Sequence, residues 1–214
     1  MLGSSVYKTL SIDKNFKTFG TQRKNQGQKN YFNVINMESI NNILDDYSDV
    51  EYIVNCIGLT QVEIEKLDKK TSEERTMKIN SFFPKYLSEI CIERGIKVIS
   101  ISSDGVFSGK NGPYNESDKC DPIGLYSHSK LKGEVSKKNF LNLRCSIIGP
   151  DPIKQRGLFE WFKNCEDPII YGYSNQLWNG LTTLQYARLC KQIFLYGYFD
   201  ELTSLSSIHH VDIN

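Results

Sequence analysis

The sequence lacks a long hydrophobic run and has no excess of charge of either sign. No apolar stretch approaches the roughly 20 residues that a transmembrane helix needs, and the first ten residues lack the regions of a signal peptide. With 26 basic and 25 acidic residues, the formal net charge is +1. A charge so close to zero gives no reason to expect a nucleic acid or a membrane as partner. We therefore expect a cytoplasmic protein that binds neither.

The sequence also lacks the cysteine and histidine spacings of metal sites. Its six cysteines include no CxxC pair, and its three histidines stand at no ligand spacing from them. Three cysteines lie in the apolar contexts YIVNCIG, EICI and LRCSI, where a reduced thiol behaves as a small hydrophobic group. The sequence therefore predicts no metal and reduced thiols in a reducing compartment.

What the sequence has instead is an alternation of strand-like and helix-like segments. The strand-like segments are FKTFGT (16–21), YFNVI (31–35), EYIVNCIG (51–58), IKVISISSD (96–104) and FLNLRCSIIG (140–149). The helix-like segments with apolar residues at helical spacing are 37–47, 79–95, 126–138 and 182–197. Apolar strands bounded by helices imply a parallel sheet covered on both faces, which predicts an α/β, Rossmann-like, doubly wound fold.

Two positions along the chain indicate how this fold is organised. After Pro150 the segments become shorter and richer in aromatic residues, so we predict a boundary near 149–152 that divides the chain into 1–150 and 151–214. At the other end, the small residues of MLGSSVYKTL precede an apolar run, which predicts the start of a helix capped by a serine. In α/β proteins a glycine-led helix start such as Gly3 often holds phosphate.

Candidate catalytic residues lie where ligands bind in doubly wound folds, beyond the carboxyl ends of the strands. ISSD places Ser103 at the end of the most strand-like segment, and YSHSK places Tyr126 and Lys130 four residues apart on one helix face. A nearby ammonium favours a phenolate and lowers the pKa of tyrosine, whose reference value is about 10. These three residues predict a site that gives a proton to a carbonyl while another group delivers hydride. The alternative is an exposed surface pair, because one YxxxK among twelve tyrosines is expected by chance.

The sequence resembles the extended short-chain dehydrogenase/reductase superfamily, in the branch that includes dTDP-4-dehydrorhamnose reductase. ISSDGVFSGKNGPYNESDKCDPIGLYSHSK is similar to the family's STDxVFxG…YxxSK block, which is the most specific match. MLGSSV resembles the end of the GxxGxxG segment, VNCIGLTQVE the fourth strand, and MKINSFFPKYL the helix that follows it.

The resemblance implies a reductase of a nucleotide-linked keto-deoxysugar that uses NADPH or NADH in surface polysaccharide synthesis. Tyr126 would donate the proton, Lys130 would tune Tyr126 and hold the nicotinamide ribose, and Ser103 with Asp104 would bind the substrate. Besides Tyr126 and Lys130, the residues that would lie against the cofactor are Leu2, Gly3, Arg23, Cys56, Ile57 and Gly58. Residues 1–150 would then be the cofactor-binding domain and 151–214 part of the substrate-binding region.

By the same resemblance, the first strand and the first glycines of the phosphate-binding turn would precede Met1, and further residues would follow Asn214. We therefore expect a sheet that lacks its first strand. Two alternatives to the reductase stay open: a nucleotide-sugar epimerase or dehydratase of the same superfamily, and a non-catalytic NADP-binding regulatory subunit. A homodimer is also left open.

The segment after the second predicted strand bears on the choice of cofactor. In this fold an acidic residue there binds the ribose 2′-hydroxyl of NAD, whereas an arginine pairs with the 2′-phosphate of NADP. FGTQRK carries Arg23 and Lys24, and no acidic residue follows until Glu38. The sequence therefore predicts a preference for NADPH with Arg23 as the main determinant, NAD being the second choice. A solvated basic loop is the alternative.

Overall fold

The computed structural model describes residues 1–23, 30–151, 153–175, 178–205 and 209–210, with side chains up to residue 203. Its helices are α1 (Leu2–Ser11), α2 (Ile40–Asp46), α3 (Gln61–Ile64), α4 (Lys69–Met77), α5 (Phe83–Glu93), α6 (Gly124–Lys132), α7 (Leu158–Lys163), α8 (Thr183–Leu195) and α9 (Tyr198–Leu205). Its strands are β1 (Tyr52–Asn55), β2 (Lys97–Ile101), β3 (Phe140–Arg144), β4 (Ile147–Ile148), β5 (Leu181–Thr182) and β6 (His209–His210). Two 3-10 segments lie at Val34–Ser39 and Asp104–Val106, and a π-helical turn lies at Lys78–Phe82.

The main sheet is parallel and has helices on both faces. Its order is β1-β2-β3-β6, and every pairing is parallel. Neighbouring side chains on a strand go to opposite faces, so Val98 and Ile99 enter different buried clusters. The cluster of Val98 includes residues of α2, α3 and α5, and the cluster of Ile99 includes residues of α1, α8 and α9. This arrangement confirms the predicted Rossmann-like, doubly wound α/β fold.

Three predicted strands are confirmed and two are wrong. The segments 51–58, 96–104 and 140–149 contain β1, β2 and β3. Residues 16–21 and 31–35, all of which the structure describes, form no strand, and Tyr31 makes an isolated bridge with Gln22. A strand needs a neighbour that completes its backbone hydrogen bonds. The contact made by Phe16 is between side chains: its ring packs against the ring of Phe194, with the centroids 6.2 Å apart. Residues 31–35 lead into a 3-10 segment, because the Asn33 side chain accepts a hydrogen bond from the amide of Ile35.

The start of α1 differs from the predicted capped start. The N-cap is Met1, no side chain caps the helix, and the serines lie inside it. The serine cap is therefore wrong. Gly3 falls in the first turn, where an added Cβ would lie 3.6 Å from the Cβ of Cys56. This contact places the beginning of α1 beside the loop that follows β1.

Helix α6 ends earlier than the predicted range of 126–138. Its C-cap is Gly133, after which the backbone of Val135 exchanges two hydrogen bonds with the Asn142 side chain on β3, at 3.1 and 2.9 Å. These bonds turn the chain out of the helix. On the other side of Gly133, an added Cβ would lie 1.9 Å from the carbonyl oxygen of Asn80. Glycine is therefore required for the close approach of α6 to the π-helical turn.

The part of the chain after residue 150 contributes to the same packed unit. Helix α8 packs along α1, and its Tyr186, Ala187 and Cys190 are fully buried in the cluster of Ile99. The division at residue 150 stays a prediction. Within the described ranges, no helix is both long and apolar enough to cross a membrane.

The contact at Gly133 generates a stability prediction. Gly133→Ala forces the new methyl group into the Asn80 carbonyl, and we expect the free energy of unfolding to fall by about 1–3 kcal/mol, as overpacking does. In a chain of this size this lowers the melting temperature by roughly 2–4 °C per kcal/mol. Calorimetry checks the shift, and Gly172→Ala is the control, because a Cβ there meets nothing within 4 Å. Equal melting temperatures for the two variants would contradict the required close approach.

Candidate active site

Ser103 lies just beyond the carboxyl end of β2, at the edge of the sheet where ligands are expected. It is buried, and its extended backbone makes it the N-cap of the 3-10 segment Asp104–Val106. Its Oγ accepts a hydrogen bond from the amide of Gly105 at 3.1 Å, which fixes the side chain. Asp104 follows it and is half-buried.

Helix α6 carries Tyr126 and Lys130 on the face turned towards this strand end. Lys130 is 6% exposed, and its Nζ donates a hydrogen bond to the carbonyl oxygen of Ile101 at 2.7 Å. Tyr126 is half-buried, and Ser103 lies within hydrogen-bonding reach of its phenol. The structure therefore brings together the three residues that strand-end position and helical spacing had singled out.

The electrostatics of Lys130 are set by its burial. Burial lowers the pKa of Lys130 to about 8, and the carboxylate of Glu134 partly offsets that effect. Lys130 is therefore mostly an ammonium at neutral pH, although it lies in a buried place.

The pKa of Tyr126 moves opposite to the sequence-based expectation. Burial raises the pKa of Tyr126, the nearby Ser103 partly offsets this, and Asp104 adds to the rise. The predicted lowering by Lys130 is wrong for this arrangement, because the ammonium is directed at the Ile101 carbonyl rather than at the phenol. Tyr126 is consequently a neutral phenol that retains its proton at neutral pH.

Several residues predicted to bind a cofactor lie in the loop after β1, close to Lys130. A Cβ added at Gly58 would lie 4.0 Å from Lys130 Nζ and 3.7 Å from Asn80 Oδ1. Cys56 borders the start of α1 through Gly3. A glycine beside a buried lysine, with a helix N-terminus adjacent, fits the ribose and phosphates of a dinucleotide.

The other predicted cofactor residues have different surroundings. Leu2 is buried with its side chain in the cluster of Ile99, so only its backbone is at the helix start. The backbone amide of Ile57 donates to Asn55 Oδ1 at 3.1 Å, which shapes the loop. Arg23 is exposed at the end of the first described range, and Lys24 lies outside the described residues.

Asn80 is a site residue that the sequence reading missed. Its Oδ1 accepts from the amide of Leu59 at 2.8 Å, and its Nδ2 donates to the Leu59 carbonyl and to Ser129 Oγ, both at 3.0 Å. One amide thus ties the loop after β1 to α6. The signal in the sequence that could have identified it is a polar residue inside the apolar helical pattern of 79–95.

Glu134 is the second residue that the sequence reading missed. Its side chain is 5% exposed and pairs with the fully buried Arg144, whose Nη2 lies 2.7 Å from Glu134 Oε2. It follows Lys130 by four residues, as Lys130 follows Tyr126.

The thiols near the site are protonated. Burial raises the pKa of Cys56, Cys91 and Cys145 to about 12. All six cysteines are free. Within the described ranges, no group of three or more potential ligand side chains could hold a metal ion.

Comparison with known proteins finds relatives named as reductases and one named as a subunit of another enzyme. A probable low-salt glycan biosynthesis reductase, Agl14 of Haloferax volcanii, is 32% identical over 120 residues, which are 54% of this chain and 38% of the relative. A dTDP-4-dehydrorhamnose reductase of Mycobacterium tuberculosis is 32% identical over 89 residues, 39% of this chain and 28% of that protein. The methionine adenosyltransferase 2 subunit beta of Mus musculus is 28% identical over 135 residues, 63% of this chain and 39% of the subunit. The chain thus spans well under half the length of these relatives.

A solved structure and a family match give the fold and the family of the chain. The dTDP-4-dehydrorhamnose reductase of Bacillus anthracis, solved in complex with NADP, superposes with a TM-score of 0.75 at 19% identity, over 100% of this chain and 71% of that chain. Residues 1–148 match the RmlD substrate binding domain family. The chain therefore belongs to the RmlD substrate binding domain family and has the extended short-chain dehydrogenase/reductase fold of dTDP-4-dehydrorhamnose reductases.

Proposed function

We propose that the protein is an NADPH-dependent reductase of a nucleotide-linked keto-deoxysugar. The observation that carries the proposal is the meeting of Ser103, Tyr126 and Lys130 at the carboxyl end of β2. The nicotinamide supplies hydride when bound. The protein's own groups must then supply the proton, hold the reacting oxygen and stabilise the charge that appears.

Tyr126 is suited to give the proton. Its phenol is neutral at pH 7 because burial raises its pKa. It gives the proton to the carbonyl oxygen of the sugar, and a phenolate is left behind. Ser103, fixed by its bond to the Gly105 amide, binds the same substrate oxygen. The Ser103 hydroxyl, which acts to lower the pKa of Tyr126, stabilises the phenolate.

The cofactor would lie across the loop after β1 and the start of α1. Gly3, Cys56 and Gly58 border that space, and Lys130 has two N–H groups beyond the one that bonds Ile101, which are available to ribose hydroxyls. The bound NADP of the Bacillus anthracis relative supports the same cofactor. Arg23 would contact its 2′-phosphate.

The sugar nucleotide assignment draws on the relatives' names. One relative is a dTDP-4-dehydrorhamnose reductase and another a probable glycan biosynthesis reductase, which supports a role in glycan synthesis. Asp104 beside Ser103 would help to bind the sugar.

Two other functions make different predictions in one assay. A non-catalytic regulatory subunit would bind NADPH but turn over no nucleotide sugar, and one relative is named as a subunit of another enzyme. An epimerase or dehydratase would convert the sugar without net consumption of NADPH. Parallel incubations of the protein with NADPH and dTDP-4-dehydrorhamnose, and with NAD and dTDP-glucose, with absorbance and product analysis, separate these functions.

The first test concerns the proton donor. Tyr126→Phe removes the phenol hydroxyl and should lower kcat by about 10²-fold or more, as loss of a general acid does. Steady-state kinetics measure the loss. Tyr86→Phe is the control, since that hydroxyl bonds Asn41 instead. A Tyr126→Phe variant with nearly normal turnover would mean that another group donates the proton.

The second test concerns the charge of Lys130. Because the pKa of Lys130 is lowered to about 8, its ammonium is lost as the pH rises through that value, whereas Tyr126 stays neutral there. We expect NADPH binding and turnover to weaken above about pH 8. Lys130→Met should abolish this inflection and raise the KM for NADPH. An unchanged pH profile in Lys130→Met would assign the inflection to another group.

The third test concerns cofactor choice. A charged hydrogen bond contributes about 1.5–3 kcal/mol, so Arg23→Ala should weaken NADPH binding by roughly 10- to 100-fold and leave NADH binding nearly unchanged. Fluorescence titration gives both Kd values. Arg188→Ala, at another exposed arginine, is the control. Equal affinities of the wild type for the two cofactors would show that Arg23 only faces water.

A further inference from the structure

Glu134 is a buried carboxylate that the proposed reaction does not use. It accepts two parallel hydrogen bonds from Arg144, with Nε 2.8 Å from Oε1 and Nη2 2.7 Å from Oε2. It accepts a third from Ser102 Oγ, 2.6 Å from Oε1. Its side chain is thus held from two strands, since Ser102 follows β2 and Arg144 ends β3.

Stability alone gives little reason to bury such a pair. Taking two charges out of water carries a large desolvation cost, and apolar residues of similar volume are often as stabilising. The guanidinium of Arg144 also lies over the ring of Phe107, 5.3 Å from its centroid, so it is packed as well as paired. An ion pair with two parallel hydrogen bonds fixes the positions of both side chains and of the chain segments that carry them.

What the pair holds is the strand end that carries the catalytic serine. The three consecutive residues 101–103 each meet a side chain from α6 or just after it. The Ile101 carbonyl accepts from Lys130, Ser102 donates to Glu134, and Ser103 lies within reach of Tyr126. Tyr126 and Lys130 lie four positions apart on α6 and therefore face the strand together, and Glu134 lies just beyond the Gly133 C-cap.

A small polar cavity joins the same groups. Its volume is about 10 Å³, roughly that of one water probe, and its wall includes Ser102, Lys130, Glu134 and Asn142. The ionisable groups that act on Lys130 come from three elements: Glu134 after α6, Cys145 after β3 and Cys56 after β1. Since the thiols are protonated, Glu134 is the negative charge among these three groups.

We propose that Glu134 is a positioning residue for this site: its carboxylate holds the end of β2 against α6 so that Ser103 meets Tyr126, and its charge keeps the buried Lys130 protonated. The part concerning turnover rests on the proposed function. The part concerning Lys130 can be measured without any substrate.

The positional part is tested by Ser102→Ala. This variant removes one hydrogen bond to Glu134 and leaves its ion pair with Arg144 intact. We expect kcat to fall by about tenfold, with the KM for NADPH unchanged and a melting temperature like that of the control. The control is Ser100→Ala, an equally buried serine two residues earlier that bonds Asn55 instead. Equal kcat values for the two variants would overturn the positional role.

The electrostatic part is tested by Lys130 titration. Carbon-13 labelling of lysine Cε and NMR follow the Lys130 ammonium from pH 6 to 11 in the wild type, in Glu134→Gln and in Glu134→Gln/Arg144→Met. The double variant avoids an unpaired buried arginine, and Arg144→Met is its reference, so that in each comparison only the carboxylate differs. Removing the carboxylate should lower the pKa of Lys130 by about 1 below its starting value of about 8. A purely structural role would leave that pKa unchanged in a folded variant.

The two proposals fail in distinguishable ways. A wild-type protein that turns over no nucleotide sugar contradicts the reductase, and the NMR titration still decides the role of Glu134. An unchanged Lys130 pKa in a folded Glu134 variant overturns the charge role, whatever the enzyme activity. Ser102→Ala with a lower kcat, together with a lowered Lys130 pKa in the Glu134 variants, supports both parts.

Discussion

The hydrogen bond from Lys130 Nζ to the Ile101 carbonyl ties α6 to the end of β2, and the rest of the site depends on it. An ammonium is costly to bury, and a lowered pKa is the visible sign of that cost. The surroundings compensate with a carbonyl and a nearby carboxylate. Once Lys130 is placed in this way, Tyr126 one turn earlier has a defined distance to the same strand end, where Ser103 lies.

The depth at which α6 packs is set on its other side. Gly133 lets the helix approach the Asn80 carbonyl, and the Asn80 side chain bonds both Ser129 on α6 and the backbone of Leu59. The loop after β1, in which Gly58 lies, is therefore positioned by the same asparagine that contacts the helix. The proposed cofactor surface and the proposed catalytic helix share one anchor, so a shift of either would move the other.

Sequence reasoning succeeded where a local pattern decides the structure. Continuous apolar runs located β1, β2 and β3, because strands covered on both faces have no polar side. It failed at 16–21 and 31–35, because a strand also needs a partner and the sequence does not say which neighbour is present. The spacing of Tyr126 and Lys130 identified a shared helix face, but not the direction of the ammonium, which burial and the Ile101 carbonyl decide. Glu134 escaped notice because its partner Arg144 is ten residues away on a strand.

The π-helical turn at Lys78–Phe82 constrains the length of its segment as well as its composition. Such a turn accommodates one residue more than the α-helical hydrogen-bond pattern would. Deleting any one residue from it would restore a regular helix but rotate α4 relative to α5 by about 100°, the angle of one residue in an α-helix. The apolar content would hardly change, yet the amide of Asn80 would leave the loop and helix that it joins. In this turn, a substitution on the exposed face therefore disturbs the packing of α4, α5 and Asn80 less than the deletion of one residue does.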